Sequence, residues 1–376
     1  MEDRKIRVAI THGDTNGVGY EVIFKALSDP LMLELCTSII YGSPKVAAYY
    51  RNLLNIEANF SIINKAEDIC DGRINLMACV EEDVKVEVGQ PSDVAADAAL
   101  VALNTALTDY NTGAFDVLVT APVYNNTIKE KGLVYAGHTE FIEKRIGNNE
   151  KALKLLLNDK LRVALLTGNL PLKDVSETIS VESIVEKIKI LHKSLKRDFL
   201  ISNPRIAVLA LNPYCGDDGK LGKEETDIII PAISQLDELG MQVFGPYAAD
   251  DYFGDGKYAH FDAVLAMYHD QGAAPFRSVS YDGRVDFTAG MPLVRTAPDH
   301  TAQYEIAGRG DADETSMREA IYAAIDIFRN RMNYDEAVKN PLPKLYHEKK
   351  EDGEKVRFNI PKKRDAAGVD EEKESK

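Results

Sequence analysis

Short apolar runs recur along this chain, each followed by a loop rich in Gly, Asn and Asp and then by an amphipathic stretch. IRVAIT (6–11) predicts a buried strand, HGDTNGVG the loop after it, and about Tyr20 to Leu27 the helix that completes the unit. Residues 37–41 and 60–63 predict two further short strands. Residues 92–110 carry Ala and Leu at helical spacing, and FDVLVTAP (115–122) predicts a strand stopped by Pro122. GHTEFIEKRIG contains a helix beginning near Thr139 that Thr139 itself can cap, and ALKLLLN and RVALLT predict adjacent strands divided by Asn158-Asp159. An amphipathic helix over 180–199, a strand in RIAVLALNP (205–213) and a helix in EETDIIIPAISQLDELG follow. FDAVLAM (261–267) is the last strong strand, and a helix from about Glu314 to Asn330 ends the folded part, with Asp311 and Asp313 suited to its N-terminus.

Strands that alternate with helices predict an α/β fold, with parallel sheets covered on both faces. The length suits two such domains, parallel or mixed, flanking a cleft fed by the strand ends at 11, 122, 167, 213 and 267. Residues 1–124 with 262–340 are expected to form a discontinuous, cofactor-side domain, and 125–261 the substrate, metal and dimer side. Beyond Pro343 the chain is almost wholly charged or polar, and 348–376 is expected to be a solvated, disordered tail.

Composition narrows the partners. A formal net charge of -15 over 376 residues repels nucleic acid and anionic membrane, although a local cluster of Arg can still draw an anionic substrate. The four cysteines (36, 70, 79 and 215) form no Cys-x-x-Cys pair, so neither a disulfide framework nor a zinc knuckle is expected. MEDRKIRVAIT has no apolar signal core and no run approaches membrane-spanning length, so a cytoplasmic location is expected.

The richest stretch is Tyr268-His269-Asp270-Gln271-Gly272. It follows FDAVLAM, which places His269 and Asp270 at the carboxyl edge of a sheet, where such folds build their sites. A histidine can ligate a metal or pass a proton, and a neighbouring carboxylate can orient it or act as a base. His138 opens a helix, where backbone N–H groups favour an anion. Two similar loops at strand ends carry Asn169 and Tyr214, both poor metal ligands beside histidine. Asp250 in GPYAADD can share a proton relay with Asp270. Arg277, Arg284 and Arg295 suit a planar anion, and His300 and Ile306-Ala307-Gly308-Arg309-Gly310 follow. The first loop lacks Gly-Lys-Ser/Thr and a true GxGxxG, so it reads as a turn between strand and helix. His192 and His347 read as structural or surface residues, and His260 is open.

Together, ITHGDTNGVGYEV, GHTEF, LNPYCGDDGKLGKEE, GPYAAD, YHDQGAAPF, GMPLVRTAPDH and IAGRG resemble the 4-hydroxythreonine-4-phosphate dehydrogenase family of vitamin B6 biosynthesis, in family order over about residues 5–335. The resemblance implies a fold like that of isocitrate and isopropylmalate dehydrogenases and a homodimer with its site at the cleft and subunit interface. It implies oxidation of the 3-hydroxyl of a phosphorylated amino acid by NAD or NADP, then decarboxylation. A divalent metal (Zn, Mg, Mn or Co) held by three histidines would polarise the reacting oxygen. Carried over residue by residue, His138 and Thr139 match the substrate pair, Asp250 and Asp270 the catalytic carboxylates, and Arg295 a phosphate-binding arginine. His269 matches one metal ligand, the one that in the family reaches across from the partner subunit, and His300, Ile306, Gly308 and Gly310 fall on the cofactor segment.

The chain departs from the family at several of these positions. The other two metal positions are Asn169 and Tyr214. Arg277 replaces a phosphate-binding lysine, Asp286 a phosphate-side asparagine, Asn125 a lysine, and Thr301 a glycine. Carboxylates such as Asp217, Asp250 or Asp270 could supply oxygens for a harder ion. Three functions are therefore expected: the dehydrogenase, with family or altered metal and substrate; a catalytically impaired homologue that keeps the dimer and anion binding; or a binding protein for a phosphorylated metabolite.

Overall fold

The computed structural model describes residues 4–80, 84–124, 137–280 and 283–340. Asn125, His347 and the expected tail at 348–376 lie outside the described residues.

Twelve strands of the described residues form one sheet. In chain order they are β1 Ile6–Thr11, β2 Cys36–Gly42, β3 Phe60–Ile63, β4 Ile74–Ala78, β5 Val117–Thr120 and β6 Leu153–Leu157. There follow β7 Arg162–Leu165, β8 Arg205–Leu209, β9 Gln242–Tyr247, β10 Ala263–Ala266, β11 Val285–Ala289 and β12 Val294–Pro298. Their spatial order is β3-β4-β2-β1-β5-β12-β11-β6-β7-β10-β8-β9.

The α/β class is the one the pattern predicts, but the sheet is not parallel throughout. From β3 to β12 every pairing is parallel, and so is every pairing from β7 to β9. Between these wings stand the antiparallel pairs β12/β11, β11/β6 and β6/β7. An odd number of reversals means that the wings run in opposite senses. β10 pairs with β7 and β8, so it lies among the strands of the middle of the chain.

The apolar runs are continuous because both faces of the sheet are covered. On β1, Val8 and Ile10 enter one core with Ile23, Ile321 and Ala324, while Ala9 enters another with Ala102, Leu103 and Leu107. In the second wing, Ala164, Val208 and Leu265 join the first core, and Val163, Ala207 and Val264 pack instead with Ala273 and Phe276.

Helix boundaries follow local chemistry. Ser92 caps Asp93–Asn111, and a reciprocal Ser180/Ser183 capping box starts Val181–Arg197. The last helix is longer than expected, Thr315–Lys339, since no Gly or Pro interrupts it before Pro341. Its Arg331 is buried with Asp198 at the end of Val181–Arg197, Nε to Oδ1 at 2.6 Å, and donates to the carbonyls of Met291 and Pro292. The strands β4, β9, β11 and β12 have no counterpart in the reading of the apolar runs. In β11 and β12 the reason is visible: Asp286, Thr288, Arg295 and Thr296 interrupt the apolar signal. No helix among the described residues is long and apolar enough to cross a membrane.

Candidate active site

A cavity of about 540 Å³ lies where the segments after β5, β7 and β12 meet the helices His138–Ile146 and His269–Val279. The loop after β1 braces its floor. Gly13 has φ +72°, and a Cβ there would lie 2.4 Å from the carbonyl oxygen of Pro122. The amide of Asp14 donates to that same oxygen at 3.0 Å, Val18 N–H donates to Ala302, and Tyr304 Oη donates to Asp14 Oδ2 at 2.6 Å. The HGDTNGVG loop is thus a structural turn that also fastens the segment after β12.

Cations define one side of the cavity. Arg295 on β12 is 3% exposed; it donates to Thr120 Oγ1 from Nε at 3.1 Å and from Nη2 at 2.6 Å, and to Thr288 Oγ1 from Nη1 at 3.3 Å. Asp286 on β11 lies 3.5 Å from Arg295 Nη1 and 3.3 Å from Lys154 Nζ on β6. His138 Nδ1 stands 3.4 Å from Arg295 Nη2. Burial, helped by the Arg295 charge, pushes the His138 imidazole down to about 3, so His138 is neutral near pH 7 and Nδ1 can accept. Arg277 also lines the cavity, but its Nε and Nη2 close on Asp299, both at 2.9 Å. Thr139 is in the lining as expected, but it does not cap its helix: the N-cap is Gly137, and no side-chain cap bond is made.

His269 and Asn169 line both this cavity and a shallower recess beside it, which Asp270, Tyr268, Leu170 and Leu172 complete. His269 Nδ1 is 2.8 Å from Asp270 Oδ1, and the Asp270 side chain is 87% exposed. Other expected residues are not brought in. Asp250 is exposed on the helix Ala249–Gly254, and Tyr214 is 75% exposed. Tyr214 sits in a left-handed turn, with φ of 53°, 54°, 81°, 44°, 55° and 84° from Tyr214 to Gly219. Buried Glu225 anchors it, accepting from the Leu211 and Asn212 amides at 2.8 and 2.7 Å.

The cofactor segment divides in two. His300 lines the cavity; its Nδ1 bonds Thr301 O at 2.9 Å, and its buried Nε2 has no hydrogen-bond partner among the described residues. That free lone pair fits a donor on a bound ligand such as a nicotinamide cofactor. Ile306 packs on the core, Gly308 (φ +73°) sits against Val88 and Leu53, and the Gly310 carbonyl accepts from Lys25 Nζ at 2.6 Å. A metal is less well served. Among the described residues no three His, Cys, Asp or Glu side chains gather to hold one ion. Asn169 offers an amide, His269 already spends Nδ1 on Asp270, and Tyr214 is outside the lining, so the donors do not fit a three-histidine site.

Sequence reasoning missed Lys154, Lys187, Glu140, Glu143, Thr120 and Thr288, which line the cavity or hold its cations. The one available signal was Lys154, a charge inside the apolar run ALKLLLN.

Comparisons with known proteins give the family. A family profile described as pyridoxal phosphate biosynthetic protein PdxA matches residues 34–324. A Bacteroides thetaiotaomicron protein named 4-hydroxythreonine-4-phosphate dehydrogenase is 52% identical over 359 residues, covering 96% of this chain and 99% of its own. One of the same name from Sulfurihydrogenibium sp. is 37% identical, covering 87% and 99%. The crystal structure of a Klebsiella pneumoniae 4-hydroxythreonine-4-phosphate dehydrogenase aligns with a TM-score of 0.73 at 29% identity, over 87% of this chain and 99% of that one. With the profile spanning most of its length and relatives matched nearly end to end, this chain belongs to the pyridoxal phosphate biosynthetic protein PdxA family.

Proposed function

We propose that this chain is a 4-hydroxythreonine-4-phosphate dehydrogenase, oxidising the 3-hydroxyl of its substrate to a ketone, after which the β-keto acid loses CO2. The observation that carries this reading is the 52% identity to a protein of that name over 96% of the chain. The retained His138, Arg295 and His269 in one cavity support the active enzyme over an impaired homologue or a metabolite-binding protein.

In this reading Arg295 and Lys154 draw the phosphate, with Arg277 beside them, and Asp286 limits how it is bound. Thr139 and neutral His138 position the substrate next to them. With Nδ1–H directed at Asp270, His269 keeps its Nε2 lone pair and takes the proton of the 3-hydroxyl. Because the donors around His269 do not fit a three-histidine metal site, the proton acceptor is the imidazole itself. NAD or NADP, when bound, supplies the hydride acceptor; His300 would hold it through Nε2, with Ile306, Gly308 and Gly310 shaping the segment behind. Asp250 and Tyr214, exposed outside the cavity, are assigned to the partner's site in a homodimer. Residues 1–124 with 262–340 and residues 125–261 would form its two domains, except that β10 goes with the second through its pairing with β7 and β8, and a cytoplasmic location goes with such an enzyme.

The test is direct. Purified protein, the phosphorylated hydroxy-amino acid and NAD or NADP should yield reduced nicotinamide and CO2 in equal amounts. A folded protein that produces neither, with or without added Zn, Mn or Mg, overturns the reading.

A further inference from the structure

Asp286 stands in the cavity wall with its side chain 14% exposed. Its Oδ2 faces both Lys154 and Arg295, whereas Oδ1 is buried and has no hydrogen-bond partner among the described residues. Two donors of Arg277 are taken by Asp299, and the nitrogens of Arg295 already serve Thr120, Thr288, Asp286 and His138, so Lys154 offers donors to an anion here while Arg295 supplies charge. A buried acceptor left unpaired costs desolvation free energy, which a ligand donor would recover. An amide at this position would offer N–H; a carboxylate offers only lone pairs. An anionic group drawn to these cations therefore meets an acceptor and must bring its own proton.

We propose that Asp286 makes this site select a singly protonated phosphate ester, whose P–OH donates to Oδ1 while its other oxygens accept from Lys154 and lie against the Arg295 charge. The inference rests on the phosphate-ester reading above and adds to it the ionisation state that the site accepts. The dianion of a phosphate monoester and a sulfate ester both lack the proton and place an oxygen lone pair against Oδ1.

The surrounding charges keep Asp286 an acceptor. Lys154 faces it from β6, Arg295 from β12, His138 from its own helix and Arg277 from His269–Val279. Glu140 acts on Arg295, and Lys187 lines the cavity from Val181–Arg197, donating to Ala152 O at 2.7 Å. Burial pushes the Asp286 carboxyl up, but Lys154 and Arg295 outweigh it and the net shift is down. The proton that matters near neutrality thus belongs to the ligand, whose ester form loses it at about pH 6. Affinity is highest below that value and falls as pH rises through it.

Calorimetry on the full chain with methyl phosphate, a simple monoester, and with methyl sulfate reads this without turnover. The natural protein should bind methyl phosphate at about pH 6 at least about tenfold more tightly than at about pH 8, and more tightly than methyl sulfate by a similar factor. Asp286→Asn, shown folded by circular dichroism, should gain methyl sulfate binding and lose most of the pH dependence. Methyl sulfate bound as tightly as methyl phosphate, methyl phosphate bound more tightly at the higher pH, no anion bound at all, or an Asn variant with unchanged discrimination would each overturn the proposal. The phosphate–sulfate comparison stands without the variant should that fail to fold. Failure to reduce NAD, with anion selection intact, would overturn the enzymatic reading alone.

Discussion

Arg295 holds the cationic side of the cavity in place. Its guanidinium is buried, tied to two threonines and paired with Asp286, so Arg295→Met would leave Asp286 to Lys154 alone. KM for the phosphorylated substrate should rise at least about thirtyfold, equivalent to about 2 kcal/mol, with a smaller change in kcat. Histidine burial makes a second prediction. His12 is fully buried, stacks on Tyr20 at 5.3 Å, and is pushed by burial to about 4 from an ordinary 6.5. Its folded-state value lies below the unfolded one, so the unfolded chain takes up the proton first. The neutral ring therefore contributes fully above 6.5, and stability is lost as pH falls from 6.5 toward 4. Each such histidine steepens the loss by up to about 1.4 kcal/mol per pH unit. His12→Phe keeps the stacked ring and should flatten the acid side of a urea-melting profile; an unchanged slope would refute the assignment.

At the scale of elements, one buried ion pair joins the last helix to the middle of the chain. Asp198 and Arg331 are 2% and 6% exposed, and Ser194 Oγ and Asn330 Nδ2 add donors to the same aspartate. Asp198→Ala leaves the guanidinium buried and unpaired and should cost about 3–5 kcal/mol in urea unfolding. A double change to Asp198→Leu with Arg331→Met should recover much of it. Such pairs explain how far the sequence could be read. Strands whose two faces are both apolar, such as β1, β5, β8 and β10, were legible as uninterrupted runs, and so were the motif loops that follow them. β11 and β12 were not, because their polar positions serve the cavity. The same concealment hid Thr288 and Asp286's link to Lys154, since their significance appears only once β6, β11 and β12 are neighbours.

For the whole molecule, β11, β6 and the three antiparallel pairings around them decide the architecture. Each wing is an ordinary parallel α/β arrangement. They become one sheet only because β12 adds to β5 in one wing while β11 pairs with β6, which leads into the other. The charged wall of the cavity is built on this same junction, with Lys154 from β6, Asp286 from β11 and Arg295 from β12. The junction strands come late in the chain, and their partners β5 and β6 much earlier, so these contacts carry a large loop-closure cost and form slowly. A chain that stops before β11 and β12 lacks the two strands that join the wings, and with them Asp286 and Arg295. The cationic wall is complete only once the two halves have met, so a ligand held by it stabilises the joined sheet and neither half alone.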